Sequence, residues 1–257
     1  VVGRGEVLER MTTVTTPSSE LLEALWQSGG VGDDHRLPVL LCPPHPRLGG
    51  SMDSAVLAEL VWHLGRRRHP TLRFNHRGVG ASQGPLALPP LPCAADVDVD
   101  LGPLVDDARA ALDHLLASTG ARTAAVVGVS VGALVAAQLL HAHDAVERGV
   151  LVAPPVGATG TAGAALDVGA LVGRGCVVAV AVGDDDRVVD VEGLRAALGP
   201  APGVGRGPRA PGAPRSPPSG GLLHVVPGAD HLFQRGLTAL ARWTAQALGG
   251  GDDEDVM

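Results

Sequence analysis

Residues 126–133 read Val126-Val127-Gly128-Val129-Ser130-Val131-Gly132-Ala133: an apolar run, then Gly-x-Ser-x-Gly, then a helix-capable segment. These types in this order suit a nucleophile. A serine on a very sharp strand-to-helix turn stands clear of its neighbours. Glycine two positions before and after it lets strand and helix approach closely. A helix beginning at Val131 points its free N–H groups and the positive end of its dipole at Ser130, where negative charge develops during acyl transfer. The competing readings are an N-capping serine on a Gly-rich helix start and a nucleotide-binding turn. The second lacks both the Gly-x-Gly-x-x-Gly spacing and the Lys of a phosphate loop.

A serine at its ordinary pKa needs a base and an acid that orients the base. After a turn of this kind the chain order is Ser, then Asp or Glu, then His. His231 takes the last place, since it follows the apolar run 222–226 and the turn Pro227-Gly228-Ala229-Asp230. His35, His45, His69 and His76 precede Ser130. His63, His114, His141, His143 and His224 fall on helix or strand positions that fit worse. The acid belongs just past the apolar run 176–182, where Asp184, Asp185 and Asp186 are all candidates. The oxyanion needs two N–H donors. One is Val131, directly after the nucleophile. The other belongs to the loop after the run 38–42, which reads Pro43-Pro44-His45-Pro46. Proline has no N–H, so His45 is the one donor among these four.

The elements that would carry these residues follow from periodicity. Residues 10–16 and 20–26 are β-capable runs around Pro17-Ser18-Ser19, a leading hairpin. Strands are expected at 38–42, 71–75, 123–127, 149–152, 176–182 and 222–226. Helices are expected at 52–66, 101–118, 131–141, 191–198 and 232–248, the last with Phe233, Leu237, Leu240, Ala241 and Leu248 inward. Uncharged strands alternating with amphipathic helices indicate a mainly parallel sheet covered on both faces. Residues 85–100 read as a surface loop, 199–221 as a flexible Gly/Pro/Arg-rich insertion and 249–257 as an acidic tail. The catalytic domain is then 10–248.

Composition narrows the classes. The 257 residues carry a net charge of −7, against a nucleic-acid or anionic-membrane partner. All basic residues are Arg; Lys, Ile and Tyr are absent, and Asn75 is the single Asn. With 2% aromatic residues, core and pocket must be built from Val, Leu and Ala. Cys42, Cys93 and Cys176 lack framework spacing, and no charged-then-apolar leader opens the chain, so a cytoplasmic protein with free thiols is expected. The best candidate span, 123–140, is interrupted by two glycines, a Ser and a Gln, and is read as strand plus helix. No His-Glu-x-x-His or Cys-x-x-Cys spacing calls for a metal.

Several segments together resemble a known family. Pro44-His45-Pro46 through Gly49-Gly50-Ser51-Met52, and Leu72-Arg73-Phe74-Asn75-His76-Arg77-Gly78-Val79-Gly80-x-Ser82-x-Gly84, are similar to small bacterial α/β-hydrolases of the dienelactone-hydrolase and serine-aminopeptidase-like groups. Leu151-Val152-Ala153-Pro154-Pro155-Val156, Gly183-x-x-Asp186 and Pro227-Gly228-Ala229-Asp230-His231-Leu232-Phe233 fit the same pattern. The resemblance covers roughly residues 10–248. It implies an α/β-hydrolase fold with a minimal cap, the triad Ser130, Asp186 and His231, and no cofactor. Pro43-Pro44 stands where the family has His-Pro, and His76 where it has an aromatic. The expected partner is a small-molecule ester with a short to medium acyl group. A peptidase, amidase or acyltransferase on the same scaffold, and a non-catalytic binding protein of this fold, are the rival expectations.

Overall fold

The structure is a computed structural model and describes residues 9–29, 36–86, 100–155, 176–198 and 222–249. Eight strands form one sheet: β1 (Arg10–Thr15), β2 (Leu21–Gln27), β3 (Val39–Cys42), β4 (Thr71–Phe74), β5 (Ala124–Val129), β6 (Val146–Val152), β7 (Val177–Gly183) and β8 (Leu223–Val226). Their spatial order is β1-β2-β4-β3-β5-β6-β7-β8. β1 and β2 pair antiparallel as a leading hairpin, β2 joins β4 antiparallel, and the remaining five pairings are parallel. The helices are α1 (Ala55–Arg66), α2 (Gly102–Thr119), α3 (Val131–Ala142), α4 (Val191–Leu198) and α5 (Leu237–Gly249).

The order of the strands creates the site. From β3 the chain crosses through α1 to β4 on one side; from β4 it crosses back through α2 to β5 on the other side of β3. Right-handed crossovers in opposite directions put α1 and α2 on opposite faces. Accordingly α1 packs with α5, and α2 with α3. The loops leaving β3 and β5 therefore diverge, opening a crevice at the carboxyl ends of these two strands, where open α/β sheets bind ligands. The central strands β3 and β5 are buried at every position, the signature of a sheet covered on both faces. The edge strand β1 instead leaves most positions at least partly exposed.

Three boundaries differ from the sequence reading by three residues or more. The helix expected at 52–66 starts at Ala55, since Ser54 stands at ψ 134°, outside helical geometry, as its N-cap; the Met52 N–H is held by Asn75 Oδ1 at 2.8 Å. The strand expected at 149–152 begins at Val146, as β6 continues back through Glu147 and Arg148 to pair with β5. The helix expected at 232–248 starts only at Leu237. Phe233 is buried as expected but sits in a turn, with φ 52°, and Leu232 is exposed. Asp230 folds that turn by accepting the Phe233 N–H on its carbonyl and the Gln234 N–H on its carboxylate. Residues 123–140 are divided between β5 and α3, and no helix among the described residues is long and apolar enough to cross a membrane. The insertion 199–221, residues 250–257 of the tail, residues 87–99 of the loop, and Cys93 lie outside the described residues.

Candidate active site

Ser130 connects β5 directly to α3 and adopts φ 55°, ψ −122°, a conformation that ordinary side chains avoid. Its N–H donates to the Val152 carbonyl at 2.8 Å, and its own carbonyl accepts the Ala133 N–H at 2.8 Å. Both flanking glycines are sterically required. A Cβ on Gly128 would overlap the Gly132 carbonyl, and one on Gly132 would overlap the carbonyl oxygens of Cys42 and Pro43. That second contact also presses the start of the β3 loop against the first turn of α3. The Val131 N–H is the first of α3 and has no acceptor within its helix.

The structure brings Ser130, His231 and Asp186 together. His231 Nε2 lies 2.9 Å from Ser130 Oγ, and His231 Nδ1 lies 2.8 Å from Asp186 Oδ2. With Asp186 ionised, Nδ1–H donates to the carboxylate and Nε2 is left to accept the serine hydroxyl proton. Of the three candidate acids, Asp184 and Asp185 are exposed. The Asp184 side chain instead accepts the Gly228 N–H. The Asp186 side chain is fully buried, and its second oxygen accepts the N–H groups of Val188 and Val189 at 2.8 and 3.0 Å. Burial by itself would raise this carboxyl. The hydrogen bond from His231 and the two backbone N–H groups outweigh that effect and hold it below its ordinary value.

The loop after β3 carries His45 at the start of a short 3-10 turn over Pro46–Leu48. Its carbonyl accepts both the Leu48 and Gly50 N–H groups at 3.0 Å. Among the described residues its own N–H has no acceptor, as an oxyanion donor requires. A neighbouring network escaped the sequence reading as a functional feature. Asn75 accepts the Met52 N–H, donates to Glu23 Oε2 at 2.9 Å, and accepts the Ser82 hydroxyl on its carbonyl. Fully buried Asp107, on α2, accepts the backbone N–H and the guanidinium of Arg77 and lies 3.4 Å from the His76 ring. Together these tie the loop after β4 to β2, α2 and the segment entering α1. The available signal was Asn75 itself. In a chain otherwise without Asn, this buried side chain accepts the Met52 N–H on Oδ1 and donates to Glu23 from Nδ2, a pair of contacts that an ionised Asp could not make.

Large apolar side chains are exposed at five described positions: Met11, Leu21, Leu48, Val188 and Leu232. The last three lie on the loops that carry His45, Asp186 and His231, so the mouth of the site has apolar groups on it. No group of three or more His, Cys, Asp or Glu side chains suited to a metal occurs among the described residues.

Comparison with known proteins agrees with this architecture. The family model described as serine aminopeptidase, S33, matches residues 48–174. An uncharacterized protein of Rickettsia prowazekii, RP471, is 33% identical over 118 residues, which is 46% of this chain and 44% of that protein, so the match spans less than half of either. An alpha-beta serine hydrolase homologue from Coxiella burnetii superposes with a TM-score of 0.69 at 23% identity, covering 93% of this chain and 97% of that one. XC6422 from Xanthomonas campestris, a serine hydrolase described as lacking a lid, gives 0.63 at 23% identity over 94% and 93% of the two chains. The esterase Pf2001 of Pyrococcus furiosus gives 0.62 at 15% identity over 96% of each. The chain has the α/β-hydrolase fold.

Proposed function

We propose that the protein is a serine hydrolase that cleaves esters of short to medium acyl groups, with residues 10–248 as its catalytic domain. The observation that carries the reading is the continuous hydrogen-bonded line from Asp186 through His231 to Ser130, ending on a serine at positive φ before a helix. As Ser130 Oγ bonds to the ester carbonyl carbon, its proton passes to His231 Nε2. The carbonyl π pair becomes an oxyanion, which the N–H groups of Val131 and His45 receive. When the tetrahedral species collapses, the C–O bond to the leaving alkoxide breaks and His231 returns the proton to that oxygen. Water then attacks the acyl-serine, giving its proton to His231, and the carboxylic acid departs as Ser130 Oγ takes the proton back. Asp186 remains ionised throughout, holding the tautomer and stabilising the transient imidazolium.

Apolar Leu48, Val188 and Leu232 around the site suit an acyl chain rather than a charged substrate. The likeness to a protein described as lidless, and to an esterase, accords with an open site for shorter esters. The proposal includes a cytoplasmic location, supported by the buried free thiol of Cys42. In Cys42 burial pushes the thiol up to about 12, so it is inert.

The test is labelling by a fluorophosphonate together with turnover of p-nitrophenyl butyrate. Wild type should do both, and Ser130→Ala neither, with unchanged circular dichroism. Full turnover by a folded Ser130→Ala protein would remove the mechanism. The family match to serine aminopeptidases supports a second reading, a peptidase on the same triad. Faster turnover of aminoacyl p-nitroanilides than of p-nitrophenyl esters would favour it.

A further inference from the structure

We propose that the imidazole of His45 is a positioning residue: as a neutral acceptor it builds the turn that aims its own backbone N–H at the oxyanion. This rests on the reading of Ser130 as the nucleophile. The turn has unusually few means of holding itself. Pro43, Pro44 and Pro46 donate no hydrogen bonds, and the first N–H groups of a helical turn find no carbonyl inside it. His45 supplies what is missing. Its Nδ1 accepts the Arg47 N–H at 3.1 Å while its carbonyl accepts from Leu48 and Gly50. One residue thus takes three backbone N–H groups and folds the loop back on itself. The closure is tight, since a Cβ on Gly50 would overlap the Pro44 and His45 carbonyl oxygens.

Only one protonation state does this. An acceptor Nδ1 leaves the ring proton on Nε2. In the imidazolium, Nδ1–H would face the Arg47 N–H, two donors head to head. The surroundings oppose that charge. The residue is 5% exposed and its buried Nε2 has no hydrogen-bond partner. Burial is the main effect holding His45 below the ordinary histidine value. A hydrogen bond to its own backbone opposes this, while Arg47 on its own turn and His76 on the loop after β4 push the same way as burial. The ring is therefore neutral at pH 7, and as pH falls through its lowered value the turn loses its acceptor.

The experiment compares wild type, His45→Ala and His45→Asn on p-nitrophenyl butyrate, with melting curves for each. An asparagine oxygen accepts from the N–H two residues on, as in an Asx turn, so it can replace the imidazole; alanine cannot. His45→Ala should lose roughly tenfold or more in kcat with KM little changed, part of the full effect of one oxyanion donor. His45→Asn should regain most of it. The acid limb of the wild-type kcat profile should fall more steeply than that of His45→Asn, which has no ring to protonate. Independently of turnover, nitrogen-15 shifts at pH 7 should show the His45 ring, assigned by its absence in His45→Asn, with its proton on Nε2. Unimpaired His45→Ala, no recovery in His45→Asn, or a proton on Nδ1 would each overturn this role and leave the hydrolase reading standing. A wild type without turnover or fluorophosphonate labelling would remove both.

Discussion

The elbow around Ser130 and the two loops that bring Asp186 and His231 to it are built by different means. The elbow is backbone against backbone: β5 runs straight into α3, Gly128 and Gly132 admit carbonyl oxygens where a Cβ would sit, and a main-chain bond to Val152 holds the serine. The other half is side-chain work spread over long separations. Asp186 and His231 are 45 residues apart, and His231 and Ser130 are 101 apart. That half is set by carboxylates closing turns: Asp186 on Val188 and Val189, Asp184 on Gly228, and Asp230 on Gln234. A site made this way has a half held by main chain against main chain and a half that also depends on specific carboxylate oxygens, with one tight backbone contact of its own where Gly183 meets the Ala229 carbonyl.

The largest effect should come from removing such an oxygen. Asp186→Asn keeps the shape but offers Nδ1–H an amide in place of a carboxylate, so turnover of p-nitrophenyl butyrate should drop by something like 10³ to 10⁴. Asp184→Asn and Asp185→Asn should stay within about tenfold of wild type, since neither meets the His231 ring. A large loss at Asp184 with a small one at Asp186 would mean that the polar half is assembled two residues out of register.

Glycine substitutions probe the same division through stability. Gly-to-Ala within a helix ordinarily stabilises by about 1 kcal/mol. At Gly132 the new methyl group meets two backbone oxygens that cannot rotate away, so Gly132→Ala should instead cost about 3 kcal/mol or more. Gly228, on the His231 side, has φ 67° and nothing within 4 Å of its would-be Cβ. Gly228→Ala therefore meets only the left-handed backbone preference, about 1 kcal/mol. Denaturant unfolding of both variants measures the contrast, and equal losses would erase it.

Much of the elbow was legible in the sequence because its cause is local: six consecutive residues contain the strand end, both glycines, the serine and the helix start. Chain order led to His231. The choice of Asp186 over its neighbours followed the Gly183-x-x-Asp186 resemblance, and in the structure Asp186 Oδ2 lies 2.8 Å from the His231 ring. The start of the last helix was misplaced by five residues, because Leu232, Phe233 and Leu237 mimic a helical stripe while the turn at Asp230 and the φ of 76° at Gly236 break it. The Asn75 and Asp107 networks were unreadable as contacts, since they join Glu23 on β2 and Asp107 on α2 to loop residues such as Arg77 across 30 to 52 positions of the chain.

A third test uses acid. The hydrogen bonds hold the Asp186 carboxyl below its unfolded value, so they contribute stability that is present above the unfolded carboxylate range and lost as pH falls through the folded value. Asp186→Asn has no carboxylate to protonate there. The difference in melting temperature between wild type and Asp186→Asn should be greatest near neutrality and shrink toward acid, measured between pH 7 and pH 3. A constant gap would mean that Asp186 gains nothing from being charged in the folded protein.

The smallest effect should fall on the apolar group beside the polar half. Leu232 follows His231 and is 64% exposed, so it supports no core and is free to meet a substrate. Burying a methylene fully is worth about fourfold in an equilibrium or rate constant, and a side chain that covers only one side of an acyl chain captures a fraction of that. In wild type, kcat/KM should rise from p-nitrophenyl acetate to hexanoate. Leu232→Ser should leave the acetate value nearly unchanged and flatten the rise, with a loss of about twofold to fivefold at hexanoate. Met11→Ser supplies the control: Met11 is equally exposed at 64% but lies on the edge strand β1 and should leave the series untouched. Both variants should melt within about 0.5 kcal/mol of wild type, as exposed positions do. If Leu232→Ser lowers stability rather than the chain-length dependence, the His231 loop depends on packing as the elbow does, and the division between the two halves is drawn in the wrong place.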